Sequence, residues 1–257
     1  MKSNLGPRVA AEFLGTAFLV AAVIGSGIMG ERLCGGNMAL ALLANTIATG
    51  AALVALILTF GPISGAHFNP VVSLADAIEG GIAWPEMFAY VIAQFSGGIG
   101  GTILAHLMFD LPPVFVSHHV RSGPAQILSE FVATFGLLSV IWGCSRSRPG
   151  AVPFAVASYI TAGYWFTAST SFANPAVTLA RSLSDTFAGI RPADVVPFMF
   201  AQLAGGIAAT FTFRWLAPDI RSSAKDVILL HGANHDTQAD TSHHKGITCF
   251  PRENPCK

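Results

Sequence analysis

The chain alternates long apolar runs with short polar ones. A helix crossing the ~30 Å core of a bilayer needs roughly 20 mostly apolar residues. Six segments fit that pattern: about Val9 to Gly30, Asn37 to Phe60, Trp84 to Phe109, Ala125 to Cys144, the shorter Ala151 to Ala168, and Ala193 to Leu216. Two further apolar stretches are too short to cross. One runs from Asn69 to Glu79 and stops at Gly80-Gly81; the other runs from Asn174 to about Ala188 and stops at Gly189. At 1.5 Å per residue, each reaches about half-way through the core. Each opens on Asn-Pro, where Asn is a good N-cap and Pro loses nothing at the first helical position. Irregular backbone at membrane depth is tolerated only when it is buried in protein or lines a water-filled cavity. The loops entering these two half-helices are therefore predicted to line a cavity.

The same landmarks recur in both halves. Ala11-Glu12-Phe13-Leu14-Gly15-Thr16 matches Ser129-Glu130-Phe131-Val132-Ala133-Thr134. Phe68-Asn69-Pro70-Val71 matches Ala173-Asn174-Pro175-Ala176, and Ala93-Gln94-Phe95 matches Ala201-Gln202-Leu203. Glu130 lies 118 positions after Glu12, Asn174 lies 105 after Asn69, and Gln202 lies 108 after Gln94. Each half holds three spans. Because three is odd, the second half enters the membrane inverted, and the two half-helix N-termini meet near the midplane. Inverted repeats with discontinuous helices at a central site are an architecture that moves solutes.

Composition agrees with a membrane protein. The 257 residues are 52% hydrophobic and 11% charged, against about 25% charged in soluble domains. A formal net charge of zero argues against a nucleic-acid partner. The four cysteines, Cys34, Cys144, Cys249 and Cys256, are too scattered for a disulfide framework. Placing the N-terminus inside puts ten Lys and Arg on the inner segments against Arg32, Arg121, Arg181 and Arg191 outside, as the positive-inside rule requires. The expected organisation is a channel unit over 1–220, with repeats over about 8–110 and 124–217. A polar cytoplasmic tail over 221–257 follows, its backbone poorly ordered. The tail histidines and cysteines (His231, His235, His243, His244, Cys249, Cys256) fit no zinc spacing, and neither a metal nor a cofactor is expected.

A half-helix N-terminus carries about half a positive charge and unpaired N–H groups. Two of them facing one point repel cations there. Asn69 and Asn174 add side-chain N–H donors aimed at a passing oxygen. Such donors turn the hydrogens of a single-file water outward and interrupt a proton wire while water passes.

These residues carry a family resemblance. Ala11-Glu12-Phe13, Ser64-Gly65-Ala66-His67-Phe68-Asn69-Pro70-Val71 and Asn174-Pro175-Ala176 resemble the aquaporin and glycerol-facilitator family, over about Arg8 to Leu216. The resemblance implies an all-α membrane protein with six transmembrane helices, two re-entrant half-helices and an inverted internal repeat. It also implies a homotetramer with one pore per subunit, passive conduction and no enzymatic activity. The setting would be a lipid bilayer, the cell's inner (plasma) membrane, with both termini cytoplasmic.

The sequence departs from the family pattern in two places. Val71 stands where Ala is usual, on a side expected to face protein. Val177 stands where most of the family has an arginine that narrows the outer constriction. By the same spacing the rest of the selectivity filter falls on Thr49, Ala162 (or Gly163 if slipped by one) and Ser171. All four are small, which implies a wide, arginine-free filter for neutral solutes larger than water. Backbone from Gly65, Ala66 and His67, and from Ser171, Phe172 and Ala173, is expected to line the remainder. The run Asn174 to Arg181, continued by Asp185-Thr186-Phe187-Ala188-Gly189-Ile190, is similar to bacterial aquaporins encoded beside arsenic-resistance genes. That likeness implies arsenite, the trivalent arsenic hydroxide, as a solute.

Four residues leave alternatives. Arg181 lies one turn after Val177, and helical side chains lean toward the N-terminus. It either reaches back to the pore mouth or packs near the interface. Glu12 and Glu130, as intramembrane carboxylates, are either a proton relay or acceptors for re-entrant backbone, the preferred reading. His67 is either packed or a pH-sensitive gate. The functional expectation is a passive channel for small uncharged solutes, plausible cargo being arsenite, other hydroxylated solutes and water. The alternatives are a glycerol facilitator or water channel and, from another class, a proton-coupled secondary transporter.

Overall fold

The computed structural model describes residues 4–217; the predicted tail over 221–257 lies outside the described residues. Eight α-helices follow one another: α1 (Leu5–Leu33), α2 (Met38–Ser64), α3 (Pro70–Glu79), α4 (Trp84–Met108), α5 (Pro124–Ser147), α6 (Val152–Phe166), α7 (Pro175–Arg181) and α8 (Pro192–Leu216). Five of them, α1, α2, α4, α5 and α8, are long and apolar enough to cross a membrane. The sixth predicted span, α6, has 15 residues, about 22 Å at 1.5 Å per residue; a single 3-10 turn over Pro149–Ala151 precedes it. Proline stands in the first turn of α3, α4, α5, α7 and α8, where its missing N–H costs nothing.

The inverted repeat is visible in the packing. α1 packs on α2 and α4, α5 packs on α6 and α8, and α2 against α6 joins the halves. The paired helices approach closely because glycines face backbone. A Cβ on Gly97 or Gly101 would stand 2.3 or 2.2 Å from the carbonyl oxygens of Phe13 and Ala17, and one on Gly205 would stand 2.4 Å from Phe131 O. This is the small-residue contact of membrane helices. Large apolar side chains such as Ile92, Phe200, Leu128 and Trp215 are exposed on the outer faces of these helices, as lipid contact requires.

The second half-helix is shorter than predicted. It ends at Arg181 rather than near Ala188. Ser182-Leu183-Ser184-Asp185-Thr186 offers side chains that compete for backbone groups in turns. The loop between α4 and α5 also draws this segment out, with Phe115 N donating to Leu183 O at 3.2 Å and Ser117 N to Ser182 O at 2.9 Å.

Candidate functional site

Glu12 on α1 and Glu130 on α5 are fully buried, and each holds one re-entrant loop. Glu12 Oε1 accepts Ser64 Oγ at 2.7 Å and His67 N at 3.0 Å; its Oε2 accepts Phe68 N at 2.7 Å and Gln94 Nε2 at 2.8 Å. Glu130 accepts Phe172 N and Ala173 N, both at 2.9 Å, and Gln202 Nε2 at 2.6 Å. Each glutamine also reaches the adjoining half-helix, Gln94 at Ser73 Oγ and Gln202 at Thr178 Oγ1. The two carboxylates are occupied as acceptors by the re-entrant backbone and the glutamines. The glutamines were legible only as repeat landmarks; an amide at the same place in both halves is the signal that gives them this part.

With their N–H groups held outward, the loops take an unusual backbone path. Ala66, Phe68, Ser171 and Ala173 all have φ near +50°, a left-handed conformation uncommon for non-glycine residues. Among the described residues, the carbonyls of Ala66, Ser171 and Phe172 accept no hydrogen bond from protein, and all three residues border the central cavity. Gly65 differs from expectation. It caps α2 with φ +90°, a geometry glycine adopts freely, and it does not border the cavity.

The two asparagines brace each other's loops. Asn69 Nδ2 donates to Ala173 O and Asn174 Nδ2 donates to Phe68 O, each at 2.7 Å. Their Oδ1 atoms cap the half-helices, accepting Val71 N at 3.0 Å on one side and Ala176 N and Val177 N at 3.0 and 3.3 Å on the other. An amide nitrogen carries two hydrogens, so each Asn keeps one donor for the cavity that both line. Opposite this polar wall stand aliphatic side chains, among them Leu19, Val23, Leu53, Ile57, Leu137 and Ile141.

At the other predicted positions, Thr49, Ser171 and Val177 line the same cavity. Ala162 does not: it is exposed on the outside of α6. The helical period explains this. Ile160, Gly163 and Tyr164 share a face, whereas a residue two places from Ile160 lies on the opposite side. Ile160 and Tyr164 line the cavity; Gly163, the other expected position, is buried behind Ser171, where a Cβ would stand 2.6 Å from Ser171 Oγ. Tyr164 was not anticipated; its hydroxyl lies 3.2 Å from Thr49 Oγ1. The cavity wall is also not free of arginine. Arg181 borders it, with its guanidinium carbon 3.4 Å from the centroid of the Phe172 ring and its Nε donating to Ala188 O. Arg121, from the α4–α5 loop, lies over the same ring at 5.0 Å, and burial lowers its pKa to about 10. His67 lines the cavity but is packed, its Nδ1 3.0 Å from Ser73 Oγ, its Nε2 3.5 Å from Asp76, and its ring edge-on to Tyr90. Val71 is buried at 1% exposure in the core and faces protein.

A search among protein families matches residues 2–152 to the major intrinsic protein family. The chain is 58% identical over 218 residues to the aquaglyceroporin AqpS of Rhizobium meliloti, covering 85% of this chain and 93% of that one. It is 28% identical to aquaporin Z of Bradyrhizobium diazoefficiens, covering 82% and 94%. Among solved structures, the aquaglyceroporin of Plasmodium falciparum superposes with a TM-score of 0.66 at 19% identity, over 84% of this chain and 99% of that one, a likeness of fold. The paired half-helices, the crossed asparagines and the matched glutamates therefore belong to a multi-pass membrane channel rather than an enzyme, and this chain is a member of the major intrinsic protein family.

Proposed function

We propose that this chain is a passive pore for small uncharged hydroxylated solutes, with glycerol and arsenious acid among them and water passing as well. The observation that carries this reading is Val177, whose side chain borders the cavity with Thr49, Tyr164 and Ser171. An aliphatic residue there leaves the outer constriction wider than a guanidinium projecting from the same position would. Asn69 and Asn174, with the half-helix N-termini behind them, hold the solute's oxygens at the centre and repel cations. The Ala66, Ser171 and Phe172 carbonyls replace lost water along the way, while the aliphatic wall accepts the solute's carbon or arsenic side. The names of two relatives, an aquaglyceroporin and the glycerol uptake facilitator protein of Streptococcus pneumoniae, support solutes of glycerol size. The functional unit is read as a homotetramer in the plasma membrane, with both termini cytoplasmic.

The test is stopped-flow flux through proteoliposomes with water, glycerol and arsenious acid, comparing wild type with Val177→Arg. The expected result is passage of all three solutes in wild type, and in the variant a loss of at least about tenfold for the two larger ones, the size of a constriction penalty above roughly 1.4 kcal/mol. Passage of water alone through wild type would sink the wide-pore reading.

A further inference from the structure

Arg181 is a buried cation with too few partners. It is 2% exposed, and among the described residues no carboxylate lies within ion-pair distance of it. Its Nε is satisfied by Ala188 O and one face of the guanidinium rests on Phe172, but among the described residues its two terminal nitrogens have no hydrogen-bond partner. Taking a guanidinium out of water costs several kcal/mol. A carbonyl and a ring face return only part of that.

The surroundings make the deficit larger. Arg121 lies over the same ring, and among the described residues its side-chain hydrogen bonds go to carbonyls, Nε donating to Gly189 O at 2.8 Å and Nη1 to Ser169 O at 3.2 Å. The nearby acids are occupied. Asp194 takes Arg121 N and Arg191, Asp185 takes His118, Glu31 takes Phe187 N, and Glu130 takes the re-entrant loop and Gln202. The Ser171 hydroxyl, on the same cavity as Arg181, is also buried without a hydrogen-bond partner among the described residues. Unpaired donors and uncompensated positive charge thus converge on the outer part of the cavity.

We propose that Arg181 is an oxyanion-binding group: its free terminal nitrogens, with the Ser171 hydroxyl, hold a small singly charged oxyacid anion in the cavity outside the asparagine pair. The inference deepens the channel reading and rests on it, since the same donors engage the oxygens of passing neutral solutes. It also gives the filter a cation that position 177 lacks, supplied from one helical turn later, where it contacts the solute without narrowing the mouth from Val177. A latch for Ala188 O alone would need only Nε. The two outer nitrogens are what a planar or tetrahedral oxyanion takes in pairs.

The probe is methanesulfonate, which stays singly charged, compared with dimethyl sulfone, its neutral counterpart of similar shape. Water and glycerol flux in proteoliposomes and the thermal midpoint of the detergent-purified full chain are read for wild type, Arg181→Lys and Arg181→Met. In wild type, methanesulfonate should inhibit flux and raise the midpoint at about tenfold lower concentration than the sulfone, the advantage of a charge-assisted pair. Arg181→Lys should keep part of that difference and Arg181→Met should lose it. Equal action of the two compounds on wild type overturns the proposal, as does methanesulfonate inhibition that survives in a folded Arg181→Met. If Arg181→Met does not fold, the wild-type comparison decides. Glycerol flux that ignores both compounds, with no thermal shift, sinks the anion site and keeps the channel. Absence of all flux sinks the channel, and the thermal shift then decides the site alone.

Discussion

Val71 fits because Gly206 faces it: a Cβ on Gly206 would stand 2.1 Å from Val71 Cγ1. The same contact recurs inverted in the other half, where a Cβ on Gly98 would stand 3.2 Å from Ala176 O. The two extra methyls of Val71 are thus absorbed by α8, not by the pore. Gly206→Ala should destabilise the protein by about 1–3 kcal/mol, the usual cost of overpacking. Gly206→Ala combined with Val71→Ala should recover most of it. Thermal midpoints of the single and double variants check the coupling; additive losses would contradict it.

Removing one carboxylate oxygen from the loop supports should be expensive. Glu12→Gln turns one of the two acceptor oxygens into a donor facing the N–H of Phe68 or His67, and Glu130→Gln does the same to Phe172 or Ala173. Each change should cost about 2–4 kcal/mol, since a buried N–H is left without its charged partner. Glycerol flux should fall with stability. Wild-type flux should not respond to an imposed proton gradient; a response would favour the proton-coupled alternative.

The register of α6 yields a contrast between neighbours. Ala162→Val changes an exposed face and should leave glycerol flux within about twofold, as surface changes usually do. Gly163→Ala drives a methyl to within 2.6 Å of Ser171 Oγ and 2.7 Å of its Cβ. It should shift Ser171 and lower glycerol flux several-fold more than water flux. Paired flux assays on the two variants decide between the registers.

The loop between α4 and α5 carries an acid-sensitive fastening. Asp185 accepts His118 N at 2.8 Å and pairs with His118 Nδ1 at 3.0 Å. These bonds, the backbone one foremost, hold its pKa below the ordinary carboxylate value. A depressed carboxylate stabilises the fold above its unfolded pKa and loses that contribution as pH falls through the folded one. Hydrogen exchange at Ser117 to His119 should therefore accelerate only in strongly acid solution, and Asp185→Asn should show the faster exchange already at neutral pH.

Much of this was legible because lipid leaves few options. Long apolar runs have to be helices, and Asn-Pro at the head of a short one has to begin it inside the bilayer, so the spans, both half-helices and the matched glutamates could be read directly. On α6 the sequence leaves Ala162 and Gly163 both open because the helix is apolar on nearly every side, and hydrophobicity then carries no register. Nothing in the sequence marks Tyr164; only the facing Thr49 hydroxyl distinguishes it. Arg121 gave no sign at all, since a loop arginine is ordinary until folding lays it over Phe172. The early end of α7 depended on pairing with a loop some 65 residues upstream, between Phe115–Ser117 and Ser182–Leu183.

The left-handed residues of the two re-entrant loops have a consequence for how such a pore can change over generations. Its oxygen-bearing wall is main chain, and main chain is the one part of a protein that a point mutation does not rewrite. On the proposed reading, substitution can alter the mouth at Thr49, Tyr164, Ser171, Val177 or Arg181, while the row of carbonyls beside it passes unaltered to every descendant. A lineage built this way inherits the conduit intact and can exchange its cargo by editing a few letters at the entrance.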